Sequence, residues 1–159
     1  MDDAAVRTFN RWARASPVVA SGVGLIAERL AGVEVLLMLL LGLSGRRGSA
    51  LRMLAAVGSI YIASELIGQL WPRVRPFERL GDVTPLAPHS PSRSFPSRHV
   101  ASGLAMAAIG GQEHRRLGRL MAAVAWLLGI SRVAAGLHYP TDVAAGAALG
   151  ELVGHVLKR

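Results

Sequence analysis

Residues 131–142 read SRVAAGLHYPTD, and this short stretch decides how the chain is organised. It closes an apolar run and places Arg132, His138 and Asp142 around a Tyr-Pro break. Because proline breaks a helix when it enters the interior, the break predicts that one helix ends here and another begins. Polar groups of three chemical kinds at the edge of an apolar segment indicate a connector with a function.

The apolar residues around this connector indicate a membrane protein. They make up 52% of the 159 residues, while charged residues make up only 18%. They cluster in runs of about 20, which is long enough to cross a bilayer. We predict an all-α integral membrane helical bundle with about five transmembrane helices, preceded by a short amphipathic helix over residues 2–15 at the interface. The length predicts a single domain, residues 1–159.

Short connectors separate most of the predicted spans, which cover residues 18–43, 50–71, 98–111, 117–137 and 141–157. Residues 72–98 form a long loop with six of the eight prolines and five arginines, and long loops in small domains are usually functional. Successive spans alternate in direction. The end of the second span, the start of the third, the end of the fourth and the start of the fifth therefore lie on one membrane face, where the unusual polar residues also fall.

The basic composition narrows the class of partner. The net charge is +8, but the arginines sit in short connectors and aromatic residues make up only 5%, so no stacking surface for nucleic acid is expected. Anionic lipid or a phosphorylated substrate is the better partner. The chain has no cysteine, which excludes disulfides, cysteine-bound zinc and thiol catalysis.

The start of the third span is suited to binding an anion. Pro96 precedes Ser97, which is placed to cap the helix, so the amides of Arg98 and His99 would point out of the helix start. Free amides at a helix N-terminus bind phosphate, and a histidine can donate or accept a proton near neutral pH. The ordinary alternative is a serine cap followed by surface Arg and His.

His138 and Asp142 are four residues apart across the Tyr-Pro break. A carboxylate at this spacing could hold one imidazole nitrogen and leave the other free to attack, although both residues could merely cap helix ends. Arg132, Arg73 and Arg75 would add forked donors suited to phosphate. The spacing of the histidines and carboxylates in this chain is not that of a metal site, so we expect neither a metal nor a cofactor. The chemistry we expect is transfer of a phosphoryl group to histidine.

The three polar segments together resemble the signature of the type 2 phosphatidic acid phosphatase superfamily of membrane lipid phosphatases. That signature reads Lys-x6-Arg-Pro, then Pro-Ser-Gly-His, then Ser-Arg-x5-His-x3-Asp. The third motif matches fully from Ser131 to Asp142, and the second has Arg98 in place of glycine. The first keeps Arg75-Pro76 but has Gly68 at the lysine position, so Arg73 or Arg98 would supply the missing charge.

The resemblance implies a role for each matching residue. His138 would be the nucleophile, Asp142 would orient it, and His99 would be the general acid for the leaving group. Phosphoryl oxygens would be held by Arg75, Arg132, Ser97 and the amide of Arg98, with Arg73 as a further candidate. In the loop of residues 72–98, His89 and Arg93 are candidates for binding the second phosphate of a diphosphate.

Three functions stay open on the sequence. The chain resembles the undecaprenyl diphosphate phosphatases of the bacitracin-resistance type in the stretches FNRWARASP, WPRVRPF and PHSPSRSFPSRH. The alternatives are a phosphatase for phosphatidate, phosphatidylglycerol phosphate or lipid A, and a degenerate protein that only binds anionic lipid. The oligomeric state cannot be read from the sequence.

The distribution of basic residues predicts the orientation in a bacterial inner membrane. The face opposite the motifs carries Arg46, Arg47, Arg52, Arg115, Arg116, Arg119, Lys158 and Arg159. The motif face is similarly basic until Arg75, Arg98 and Arg132 are assigned to the site. Because cytoplasmic loops carry the excess of Lys and Arg, we expect the site to face the periplasm or the cell exterior.

Overall fold

The computed structural model describes residues 1–89 and 92–158, so Ser90 and Pro91 of the predicted loop, and Arg159, lie outside the described residues. The described chain folds into helices. In order they are α1 (Asp2–Arg14), α2 (Pro17–Leu43), α3 (Arg47–Leu70), α4 (Pro76–Arg79), α5 (Arg98–Glu113), α6 (Arg115–Ala134) and α7 (Pro140–Leu157). The all-α prediction is confirmed, and the five long helices correspond to the five predicted spans.

The outer surface of the bundle is apolar, as expected for an integral membrane protein. Large side chains such as Leu36, Leu54 and Leu152 are more than half exposed, which in a bilayer means contact with lipid. Two of the described helices, α3 and α6, are both long and apolar enough to cross a membrane by themselves. Of the others, α2 carries three charged residues and α5 has only 16 residues.

The fourth span ends earlier than predicted, which lengthens the connector that carries His138. The helix α6 stops at Ala134 rather than continuing to residue 137. Gly136 has a positive φ of 74°, a left-handed conformation that side chains disfavour and that ends helices. His138 is therefore held in a tight connector, where its backbone amide donates to the Arg132 carbonyl at 3.3 Å.

The helix α5 forms the centre of the bundle, and α7 packs very closely against it. Gly146, Gly150 and Gly154 repeat every four residues in the sequence, which predicts close helix packing. In the structure, a Cβ added at Gly150 would overlap the carbonyl of Ala101, and one added at Gly146 would overlap the carbonyl of Ser97. The close packing is therefore within the chain, and it fixes the starts of α5 and α7 beside each other.

The N-terminal helix α1 is tied to the long loop and to the end of α6. Asn10 is only 1% exposed, and its side-chain amide donates to the carbonyls of Thr84 and Ala134, both at 2.9 Å. The Val6 side chain is fully buried in the same region. The predicted interfacial helix thus also holds together the segments that carry the polar residues.

Candidate active site

The polar residues of the three segments meet around the imidazole of His138. This side chain is 3% exposed. Its Nε2 lies 3.2 Å from Nη1 of Arg75, and its Nδ1 lies 3.6 Å from Oδ2 of Asp142, slightly beyond hydrogen-bonding distance. A small rotation of the ring would close that contact.

The contact with Arg75 determines which nitrogen of His138 carries the proton. A guanidinium can only donate hydrogen bonds, so Nε2 must accept and the proton must lie on Nδ1, which faces Asp142. Burial lowers the pKa of His138 to about 4; the Asp142 carboxylate opposes this shift, and the positive charges of Arg132 and Arg75 add to it. The imidazole is therefore neutral at pH 7, with a lone pair on Nε2.

The carboxylate of Asp142 is fully buried and held from two sides. Its Oδ2 accepts the backbone amide of Tyr139 at 2.8 Å, and its Oδ1 accepts Nη1 of Arg73 at 2.7 Å. The backbone carbonyl of Asp142 also accepts the Ser97 amide at 3.0 Å. These bonds fix the carboxylate against His138 and join the first turns of α5 and α7.

The guanidinium of Arg73 is directed at protein groups in this structure. Besides Asp142, it donates to the hydroxyl of Thr141 at 2.6 Å and to Asp2 at 2.8 Å. It also lies over the ring of Tyr139, 3.9 Å from the centroid. This geometry makes Arg73 a positioning residue for Asp142, and its contact with a substrate stays a prediction.

Arg75 is anchored as firmly as His138. It is 2% exposed and donates to the carbonyls of Leu137 at 2.7 Å and Arg93 at 3.0 Å, and to Oγ of Ser92 at 3.1 Å. Burial, together with the nearby charge of Arg98, lowers its pKa to about 10. Arg75 therefore stays positively charged at neutral pH at a fixed position beside the nucleophile candidate.

Two buried donors beside His138 have no hydrogen-bond partner among the residues that the structure describes. Ser97 is the N-cap of α5, as predicted, but its fully buried hydroxyl makes no capping bond. Arg132 is 4% exposed; its Nη1 donates to the Ala27 carbonyl at 2.9 Å, whereas its Nε is unsatisfied. Buried donors without acceptors are costly, so both are suited to an incoming anion.

The remaining predicted residues lie in the same cluster. His99 is half-buried at the start of α5 and interacts electrostatically with Arg132 and His138. The guanidinium of Arg98 lies over the ring of Tyr61, 5.1 Å from the centroid, and within the electrostatic range of Arg75 and Arg132. The three guanidinium groups repel one another, and two of them lie beside the neutral His138, so together they are suited to binding a multiply charged anion. We call these groups, with Ser97 and His99, the phosphoryl cage.

Sequence reasoning missed three residues that shape the site. Tyr139, which is 1% exposed, accepts a hydrogen bond from Nε of Arg79 at 2.9 Å and carries Arg73 on its ring. Asp2 and Thr141 bind the other side of Arg73. The aromatic residue next to His138 was a usable signal for Tyr139, but nothing local to residue 2 indicates a contact with α7.

Among the described residues, no three histidine, aspartate or glutamate side chains are grouped so that they could hold a metal ion. The cationic groups of the cage instead supply donors for an anion.

Comparison with known proteins agrees with the motifs. The sequence profile of the PAP2 superfamily matches residues 49–159. The chain belongs to the PAP2 superfamily. All of the cage residues, and both His138 and Asp142, lie inside the matched range.

Two curated relatives are similar to this PAP2 chain. It is 38% identical over 91 residues to a bacitracin transport permease protein BcrC of Bacillus licheniformis, covering 57% of this chain and 45% of that protein. It is 32% identical over 77 residues to the undecaprenyl-diphosphatase BcrC of Bacillus subtilis, covering 48% of this chain and 40% of that protein. The chain therefore matches less than half the length of each relative.

Two solved structures share the fold. LpxE of Aquifex aeolicus superposes with a TM-score of 0.80 at 24% identity, covering 96% of this chain and 91% of that chain. A transmembrane PAP2-type phosphatidylglycerolphosphate phosphatase of Bacillus subtilis superposes with a TM-score of 0.79 at 25% identity, covering 99% of this chain and 82% of that chain. These likenesses confirm the integral membrane helical bundle.

Proposed function

We propose that this PAP2 protein is a membrane lipid phosphatase that hydrolyses undecaprenyl diphosphate to undecaprenyl phosphate through a phosphohistidine on His138. The observation that carries the proposal is the neutral, buried His138 whose Nε2 faces Arg75 inside a cage of guanidinium groups. The similarity to the undecaprenyl-diphosphatase of Bacillus subtilis supports a lipid diphosphate as the substrate.

In the first step, Nε2 of His138 attacks the terminal phosphorus. The phosphoryl oxygens take over Nη1 of Arg75, which releases the Nε2 lone pair, and they accept bonds from Ser97 and Arg132. The bond from the phosphorus to the bridging oxygen breaks, and His99 protonates the departing oxygen. The main requirement in such a transfer is stabilisation of the equatorial oxygens, which the cage supplies.

In the second step, water replaces the histidine. His99, now deprotonated, accepts a proton from a water molecule whose oxygen bonds to the phosphorus. The phosphorus–nitrogen bond breaks and its electron pair returns to Nε2, while inorganic phosphate leaves. Throughout, Asp142 faces the Nδ1 proton and stabilises the positive charge that the imidazole gains when Nε2 is phosphorylated.

The substrate and the intermediate are tested by two measurements on purified protein in detergent. The first is phosphate release from undecaprenyl diphosphate, phosphatidylglycerol phosphate, phosphatidate and lipid A in the presence of EDTA. We expect undecaprenyl diphosphate to be the best substrate and EDTA to have no effect, and vanadate should inhibit by occupying the cage. Loss of activity in EDTA with rescue by magnesium would refute the metal-independent mechanism.

The second measurement traps the intermediate with phosphorus-32 in the terminal phosphate by quenching in alkaline detergent, because a phosphohistidine is hydrolysed in acid. Wild type and the control His114→Ala, whose side chain is exposed on the opposite face, should both yield a base-stable, acid-labile phosphoprotein. His138→Ala should yield none and should lose turnover while remaining folded. Near-normal turnover in His138→Ala would show that another group is the nucleophile.

Phosphatidylglycerol phosphate is the second candidate substrate, because the phosphatidylglycerolphosphate phosphatase superposes over 99% of this chain. Preference for that lipid in the panel would select it, and selection of phosphatidate or lipid A would replace both candidates. If no lipid in the panel releases phosphate, the result would favour the third function, binding of anionic lipid without hydrolysis.

A further inference from the structure

A small polar pocket lies beside the phosphoryl cage, between α3 and the loop that leads into α5. Its volume is about 260 Å³, and its lining includes Ser64, Glu65, Gly68, Ser92, Arg93 and Arg98. The buried hydroxyl of Ser64 has no hydrogen-bond partner among the described residues. Two arginines and an unsatisfied hydroxyl in so small a space fit an anion rather than an apolar group.

The backbone of Arg93 is held firmly against the segment that carries Arg75. Its carbonyl accepts Nη2 of Arg75 at 3.0 Å, and the next amide, of Ser94, donates to the Arg73 carbonyl at 2.8 Å. Arg93 also forms an isolated β-bridge with Val74. These bonds fix the backbone of Arg93, whose side chain lines the pocket.

The stem of the Arg93 side chain crosses α3 at Gly68. A Cβ added at Gly68 would lie 3.3 Å from Cδ of Arg93 and 3.2 Å from the Phe95 carbonyl oxygen. The absence of a side chain at position 68 thus leaves room for the Arg93 side chain to pass across α3. The guanidinium then reaches Glu65, with Nη1 2.7 Å from Oε1, and both side chains are about half exposed. A half-exposed ion pair is weak, so an anion of higher charge could replace the carboxylate.

One guanidinium borders both the cage and the pocket. Nη1 of Arg75 lies 3.2 Å from Nε2 of His138, while its Nε lies 3.1 Å from Oγ of Ser92 in the pocket wall. The two phosphates of a diphosphate share one bridging oxygen, so they need two anion sites side by side. The cage and the pocket have that arrangement.

An apolar groove adjoins the pocket at Phe95. It has a volume of about 610 Å³, and its lining includes Ile67, Leu70, Trp71 and Phe95. Phe95 also lines the polar pocket, so the two spaces share a wall. In a lipid diphosphate the phosphate that leaves is the one joined to the hydrocarbon chain, and its site must adjoin an apolar surface.

We propose that Arg93 binds the leaving phosphate of a diphosphate substrate and makes the enzyme prefer diphosphates to monophosphates. The arrival of that phosphate replaces Glu65 as the partner of the guanidinium, while the terminal phosphate occupies the cage. The inference rests on the proposed phosphatase function and adds a specificity-determining residue to it. A monophosphate fills only the cage and gains nothing from Arg93.

The test compares farnesyl diphosphate with farnesyl phosphate, which have the same hydrocarbon chain. Arg93→Ala should lower kcat/KM for the diphosphate about tenfold or more, the loss of one charge-assisted hydrogen bond, and should leave the monophosphate unchanged. The matched control is Arg7→Ala, because Arg7 is also 45% exposed and pairs with an exposed carboxylate, that of Asp82. This control should leave kcat/KM unchanged for both substrates.

Two further variants separate binding from loop structure. Glu65→Gln removes the competing carboxylate, so it should lower KM for the diphosphate alone. Arg93→Lys keeps a cation on the same backbone anchor without the planar fork, so it should retain part of the diphosphate preference. If Arg93→Ala lowers kcat/KM equally for both substrates, or for neither, the inference is overturned while the phosphatase function stands. Hydrolysis of neither compound by the wild type would overturn the inference, and the lipid panel then decides the phosphatase function separately.

Discussion

At the scale of single residues, the contact between Arg75 and His138 makes a claim about a proton that can be observed directly. The imidazole should be the Nδ1–H tautomer and should stay neutral as the pH falls from 7, because burial lowers the pKa of His138 to about 4. Nitrogen-15 spectra of the five histidine rings, assigned with His138→Gln, would show this. Protonation of His138 near the ordinary value of about 6.5 would contradict it.

The Asp142→Asn variant tests what the carboxylate contributes to the same ring. A carboxamide carries no charge to stabilise the imidazolium that forms on phosphorylation, while Arg75 still donates to Nε2 and opposes a proton there. We expect the Nδ1–H tautomer to remain in the spectra and turnover to fall by up to about 10⁴-fold, the cost of the equivalent change in a serine-protease triad. The measurement is kcat on the best lipid substrate. Unchanged turnover would separate Asp142 from catalysis.

At the scale of helices, the fit of α7 on α5 should set the geometry of the site. Gly150→Ala places a methyl group against the carbonyl of Ala101, and overpacking of this kind costs about 1–3 kcal/mol. Because Ser97 begins α5 and Asp142 lies in the first turn of α7, turnover should fall together with stability. Thermal unfolding in detergent and kcat on the lipid substrate measure the two effects.

The control for this prediction is Gly58→Ala in α3, where an added Cβ meets nothing within 4 Å. Alanine favours a helix over glycine by up to about 1 kcal/mol, so this variant should be as stable as wild type or slightly more so. If the two glycine variants behave alike, the contact between α5 and α7 does not govern the site.

The helix bounds show which features of the fold were predictable from the sequence. Runs of apolar residues fix the five long helices, and Pro140 marks the start of α7, because these signals are local. The end of α6 was placed three residues too late, because apolar character continues through Leu137 while the left-handed Gly136 ends the helix. In the sequence, one glycine is a weak indication that a helix ends, compared with the long apolar run that predicts the helix to continue.

At the scale of the whole molecule, the site depends on contacts between segments that are distant in sequence. The motifs predicted that Arg75, Ser97, Arg132 and His138 converge, since alternating spans bring their ends to one face. They did not predict the bond from Arg73 to Asp142 or that from Arg73 to Asp2. Such pairs depend on how α1 and the long loop close over the bundle, and no local pattern records that closure.

The orientation of the whole molecule in the membrane is the last prediction. Basic residues that the site does not use are more numerous on the face opposite the cage, and this excess marks the cytoplasmic side. Because the chain has no cysteine, a single introduced thiol reports its own side. We expect Gly81→Cys, in the loop beside the cage, to react with a membrane-impermeant maleimide in cells whose outer barrier has been opened.

His114→Cys, between α5 and α6 on the opposite face, should react only after the inner membrane is broken. Both positions are exposed, and an added Cβ at Gly81 meets nothing within 4 Å, so neither change should disturb the fold. The reverse labelling pattern would place the cage in the cytoplasm, and a lipid diphosphate would then have to be hydrolysed on the inner leaflet.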